Sequence, residues 1–87
     1  MEKTLANGKR VVIGGNLTMG EFRRWLRAEA EGDMETVYRF LAKMIERWDY
    51  SWDPHDPASF DELTLAEYRM VTQAVAEALR AEAEAKN

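Results

Sequence analysis

The chain has 87 residues, 46% of them hydrophobic and 32% charged, with a net charge of −4 and no cysteine. That length sets one domain near the lower end of self-sufficient size, and the balance suits a folded chain rather than a disordered one. The composition excludes disulfides, thiolate zinc sites and cysteine nucleophiles, and it argues against general nucleic-acid binding.

The longest run of large apolar residues is Val11-Val12-Ile13, far too short to cross a bilayer. The opening Met1-Glu2-Lys3-Thr4-Leu5 lacks the apolar stretch of a secretion signal. Charge is unevenly placed. Residues 49–63 carry Asp49, Asp53, Asp56, Asp61 and Glu62 with no base.

Taken in order, the first element is a hairpin over residues 3–13. Asn7-Gly8 is a strong tight-turn signal, because such turns need positive φ at both central residues. Val11, Val12 and Ile13 are β-branched and suit the second arm. A two-stranded hairpin needs a helix to lean on. Gly8-Lys9 is not a phosphate-binding loop: that motif needs a glycine five residues before its Gly-Lys pair, and position 3 is lysine. Gly14-Gly15-Asn16 ends the strand.

Thr18-Met19-Gly20-Glu21 reads as a capping box opening a helix over residues 19–31. Its apolar face is Phe22, Trp25 and Leu26, with Ala30 at the end. Arg23, Arg24 and Arg27 form a basic side. It is read as a solvated face pairing with Glu31 and with the acidic loop; the alternative is a phosphate-contacting patch. Gly32 stops this helix and Asp33 caps the next. Helix, tight turn, helix is also the outline of a DNA-reading motif. The exposed face of the second helix alternates acid and base instead: Glu35, Arg39, Lys43, Glu46 and Arg47.

The second helix is expected over residues 34–48. Met34, Val37, Tyr38, Leu41, Met44, Ile45 and Trp48 fall on one helical stripe with no Gly or Pro between them. Its ideal length is about 22 Å. This stripe is the expected centre of the core.

Residues 49–63 are expected to form an acidic, aromatic loop, since Pro54 and Pro57 break helices. A loop carrying aromatics either folds back as a lid or offers a binding surface. The candidate partner contacts are Trp48, Tyr50, Trp52 and Phe60. Asp53, His55 and Asp56 resemble metal ligands only weakly, as no second histidine exists. No catalytic, metal or cofactor-binding residue is assigned, because the lone histidine has no identifiable nucleophile beside it.

Ser59-Phe60-Asp61-Glu62 suits one short turn. Thr64-Leu65-Ala66-Glu67 is a second capping box and starts a third helix over residues 65–80. Leu65, Tyr68, Val71, Val75 and Leu79, with Ala74 and Ala78, give it an apolar face. Residues 81–87 have high helix propensity but no large side chain to bury, so they are expected to fray, and residues 80–87 are expected to be dispensable for folding. The expected fold is mainly α, of the α+β kind: three helices with a short N-terminal hairpin in one domain.

This order of elements resembles the small tail assembly chaperones of long, flexible-tailed bacteriophages and their prophages. The residues that carry the resemblance are Asn7-Gly8, Leu17-Thr18, Gly32-Asp33, Trp48-Asp49, Phe60 and Leu63-Thr64, over residues 3–80. The short loop with His55 departs from the glycine-containing loop expected of that family. The resemblance implies a non-enzymatic chaperone in the bacterial cytoplasm. Such a protein binds the tape measure protein, helps recruit the tail tube protein and leaves before the virion is complete. It implies no cofactor, nucleic acid or membrane, and a homo-oligomer is compatible with it. It also implies a longer second product made by ribosomal frameshifting near the end of the frame. The alternative from another class is a small regulatory protein contacting DNA through Arg23, Arg24 and Arg27 of a helix-turn-helix-like pair.

Overall fold

The computed structural model describes residues 1–14 and 17–85. Gly15, Asn16, Lys86 and Asn87 lie outside the described residues, and with them the expected end of the strand loop and the last two residues of the tail. The elements run β1 (Glu2–Thr4), β2 (Arg10–Ile13), α1 (Met19–Glu31), α2 (Met34–Met44), β3 (Ile45–Trp48), a 3-10 helix (Pro57–Glu62) and α3 (Leu65–Ala85). The fold is mainly helical with a small antiparallel sheet ordered β1-β2-β3.

The hairpin turn differs from the expected form. Gly8 has φ of +86° and no non-glycine residue among those described has positive φ, so Asn7 is not in the left-handed region. The Leu5 N–H donates to the Lys9 carbonyl (2.8 Å) and the Gly8 N–H to the Leu5 carbonyl (2.9 Å). This is a three-residue loop with its glycine at the left-handed position. The Asn7 Oδ1 accepts from the Lys9 N–H at 3.0 Å.

Both capping boxes form. The Glu21 N–H donates to the Thr18 hydroxyl (3.1 Å), and the Thr18 N–H donates to the Glu21 carboxylate (3.2 Å). Thr64 and Glu67 do the same at 3.0 and 3.1 Å. Gly32, at φ +72°, ends α1 and sends its N–H to the carbonyls of Ala28 and Glu29. Asp33 then caps α2 by accepting from the Thr36 N–H at 3.3 Å.

The central helix is shorter than the sequence predicts: it ends at Met44, and residues 45–48 form a third strand. Ile45 takes extended dihedrals, and the Gly14 N–H bonds the Met44 carbonyl at 2.8 Å. The expected two-stranded hairpin is thereby completed into a three-stranded sheet. Opposed residues are Val11 with Trp48, Val12 with Arg47 and Ile13 with Ile45, which leaves Glu46 as an extra residue in a bulge. Opposed residues share a sheet face. Val11 and Ile13 are buried, so the bulge turns Ile45 and Trp48 toward the same core side although they are three apart. A spacing of three that imitates a helix is produced here by a strand.

Two further expectations are corrected. The short turn expected at residues 59–62 starts earlier: Asp56, not Ser59, caps it by accepting from the Ala58 N–H (3.1 Å), and it runs as a 3-10 helix with Pro57 in its first turn. The C-terminal stretch does not fray at residue 81 but stays helical to Ala85, with Ala81 and Glu82 partly buried. Those two residues flank a cleft of about 330 Å³ that Met1, Ile13, Met44 and Ala78 also line. On α3 the buried residues are Val71, Ala74, Val75 and Ala78, whereas Leu65 is 66% exposed and stands outside the core.

Candidate partner-binding surface

The four candidate contacts come from two places, the end of β3 and the segment that follows it. Asp49 fixes the exit from the strand. Its carboxylate accepts from the Arg10 N–H (2.8 Å) and Nε (3.1 Å), and its own N–H donates to the Arg10 carbonyl (3.1 Å). These bonds hold the Asp49 carboxyl below its ordinary pKa and raise that of Arg10. The next turn is closed by the Trp48 indole, whose Nε1–H donates to the Trp52 carbonyl at 2.6 Å. Ser59 ties the 3-10 helix back to this turn through a hydroxyl donated to the Asp53 carbonyl at 2.6 Å.

The result is a continuous run of six rings. In spatial order they are Tyr68, Tyr38, Phe60, Trp48, Tyr50 and Trp52, with neighbouring centroids 5.9, 5.4, 5.3, 5.3 and 5.7 Å apart. Most contacts are tilted or edge-on, the geometries aromatic quadrupoles favour; Tyr50 and Trp52 are stacked. The run joins α3, α2, the 3-10 helix, β3 and the loop, so the aromatic segment acts as a lid on the helical core.

Burial divides the four candidates. Phe60 is 1% exposed and Tyr50 is 7% exposed. Both are interior residues in this fold and present no surface for a partner. Trp48 and Trp52 are half-buried and carry the ladder to the surface. Tyr50 is held from two sides: the Asn7 Nδ2 donates to its hydroxyl (3.2 Å), and the Lys9 ammonium lies 5.1 Å from its ring centroid. Burial raises its pKa. Burial also pushes Tyr68 to about 12, helped by the charges of Tyr38 and Glu29, and raises Tyr38, with the Asp61 carboxylate adding to the rise.

The weakly metal-like residues do not converge. His55 Nδ1 and the Asp53 carboxylate are 3.5 Å apart on exposed side chains, while Asp56 is turned to its capping bond. Among the described residues no group of three His, Asp or Glu side chains is placed to hold a metal ion. The arginines of α1 also depart from expectation: Arg23, Arg24 and Arg27 are exposed and make no ion pair among the described residues, with Glu31 or with the acidic loop.

Tyr38 and Tyr68 belong to the ladder and were legible only as core positions. Their helical spacing was visible, but nothing local signals that two helices and a loop bring the rings together. Leu26, 47% exposed, is a position that the helical pattern on its own would bury, and Met19 at the start of the same helix is 72% exposed. No protein-family model, curated protein or solved structure matches this chain. No helix among the described residues is long and apolar enough to cross a membrane.

Proposed function

We propose that this protein is a non-enzymatic tail assembly chaperone that binds the tape measure protein during the building of a long phage tail. It works in the bacterial host cytoplasm and takes the tail tube protein as a second partner. The observation that carries this reading is the aromatic ladder, which ends at the surface in Trp48 and Trp52 beside an acidic loop. A half-buried tryptophan anchored from behind is a good contact residue, because its rotamer is already fixed and little entropy is lost on docking. The element order named above, hairpin through aromatic loop to capped α3, supports the family assignment.

The test is co-expression with the tape measure protein of the same tail-gene cluster, reading how much of that protein stays soluble and co-purifies. Trp52→Ala removes the outermost ring but keeps the Trp48 bond, since its acceptor is a main-chain carbonyl. Capture should fall by about tenfold or more, while stability drops by roughly 1–2 kcal/mol, less than for a fully buried ring. Unchanged capture by a folded Trp52→Ala protein would sink the reading.

A further inference from the structure

We propose that the outer face of α1 docks an acidic amphipathic helix of a protein partner. This goes beyond the chaperone reading and does not rest on it, as α1 supplies none of the six rings of the ladder. Trp25 and Ala28 turn the inner face of α1 into the core at 5% and 3% exposure. The outer face holds two parallel rows with residues one turn apart: Met19, Arg23 and Arg27 in one, Leu26 and Ala30 in the other, while Phe22 at the head of the second row is partly buried against the core. Met19 is 72% and Leu26 47% exposed. Arg23 and Arg27, with Arg24 on their flank, are exposed and unpaired among the described residues.

Each element of this face points to the same occupant. Apolar side chains one turn apart along a straight helix form ridges that fit the grooves of a second helix. Guanidiniums stay charged at every physiological pH and suit carboxylates in paired geometry. The acids of α1 do not cancel them. Glu21 is engaged by Lys43 and by its cap, and neither Glu29 nor Glu31 makes an ion pair with the arginines among the described residues. A second copy docked about a two-fold axis would bring the same arginines into the contact a second time and add no acidic row to meet them. Duplex DNA would leave Met19 and Leu26 without a role and would meet a chain of net charge −4. A membrane would require a broader apolar face than two exposed side chains provide.

The experiment uses the full chain and two labelled helical peptides of about five turns with the same leucine stripe, one flanked by glutamates and one by lysines. Fluorescence anisotropy should show the glutamate peptide binding at least about tenfold tighter than the lysine peptide, a preference weakened by added salt. The double variant Arg23→Glu, Arg27→Glu should reverse that preference while its far-UV circular dichroism is unchanged. Leu26→Ser should weaken the glutamate peptide about fivefold or more without altering the charge preference. Equal binding of both peptides, no binding of either, or an unreversed preference in a folded double variant overturns the proposal. So does tighter binding to duplex DNA or anionic vesicles than to the glutamate peptide, or a dimer that the double variant abolishes. None of these outcomes bears on capture through Trp52, so this proposal and the chaperone reading fail separately.

Discussion

Replacing Phe60 with alanine tests whether the aromatic segment is a structural lid. The ring is 1% exposed and lies 5.4 Å from Tyr38 and 5.3 Å from Trp48 by centroid, so its removal opens a hole between α2, β3 and the 3-10 helix. Loss of transfer energy plus the residual cavity should cost about 3–5 kcal/mol. An ordinary domain of this length has only roughly 4–13 kcal/mol in total. The variant should therefore lose a large share of its stability, with Tm lower by about 12 °C or more. The assay is equilibrium urea unfolding followed at 222 nm, because Trp48 fluorescence will itself change when its neighbour is removed. A fall in midpoint with the slope unchanged isolates stability from denatured-state effects. Phe60→Leu retains much of the volume and should cost about half as much or less. If Phe60→Ala costs under about 1 kcal/mol, residues 57–62 are not packed in solution. Every argument that treats the loop as a lid then falls with them.

The remaining predictions follow from charge and from the ends of elements. Glu21, Asp33, Asp49 and Glu67 all have pKa values lowered by hydrogen bonds, chiefly from Lys43, Thr36, Arg10 and Thr64. A carboxyl depressed in the folded state stabilises above its unfolded pKa, near 4, and loses that contribution as pH falls through the folded value. Thermal midpoints should thus stay level from about pH 8 to 5 and decline below about pH 4. In alkali the sign reverses. Tyr68, raised to about 12, should ionise late by ultraviolet titration, and stability should drop between about pH 10 and 12, less so in Tyr68→Phe. Deleting residues 80–87 removes the half-buried Ala81 and Glu82 beside Met44 and Ile13, and should cost roughly 1–2 kcal/mol. A thermal midpoint within about 1 °C of the full chain would instead show that this stretch is dispensable.

Local chemistry was well written in the sequence. Thr18 with Glu21, Asp33, and Thr64 with Glu67 mark helix starts through side chains that satisfy main-chain N–H groups a few residues away, and Gly32 marks a helix end through its left-handed backbone. Such signals need no knowledge of the rest of the fold. The break at Met44 was hidden because Ile45 and Trp48 continue the apolar spacing of α2. What ends the helix is long-range: β2 offers main-chain partners, and the bulge at Glu46 lets a strand bury residues three apart. Periodicity alone does not separate these cases, since both place the same side chains on the core side. Ile45 is β-branched, which favours the strand, yet one residue's preference is a few tenths of a kcal/mol and decides nothing without the partner strand.

The candidate site was legible as a cluster but not as a surface. Trp48, Tyr50, Trp52 and Phe60 do come together, as their closeness in sequence suggests. Which of them meets solvent depends on residues far along the chain. Asn7 and Lys9 of the hairpin close over Tyr50, and Tyr38 of α2 closes over Phe60. Trp52 stays at the outer end because its own partners are a single ring and the indole bond to its carbonyl. The same logic applies in reverse on α1. An amphipathic pattern predicts that Leu26 is buried with Trp25, but 13 residues of one helix can turn only one side to α2. Trp25 takes that side, with Phe22 beside it at 5.8 Å, and Leu26 is left one step round the helix with the arginines. The two surfaces therefore differ in kind. The ladder's exposed end is the fringe of a packed core, so on the proposed reading substitutions there should change binding and stability together. The outer face of α1 contributes little to the core, so substitutions there should change binding alone. Measuring both quantities for Trp52→Ala and for Leu26→Ser separates the two: coupled losses are expected in the first and a loss of affinity at constant midpoint in the second.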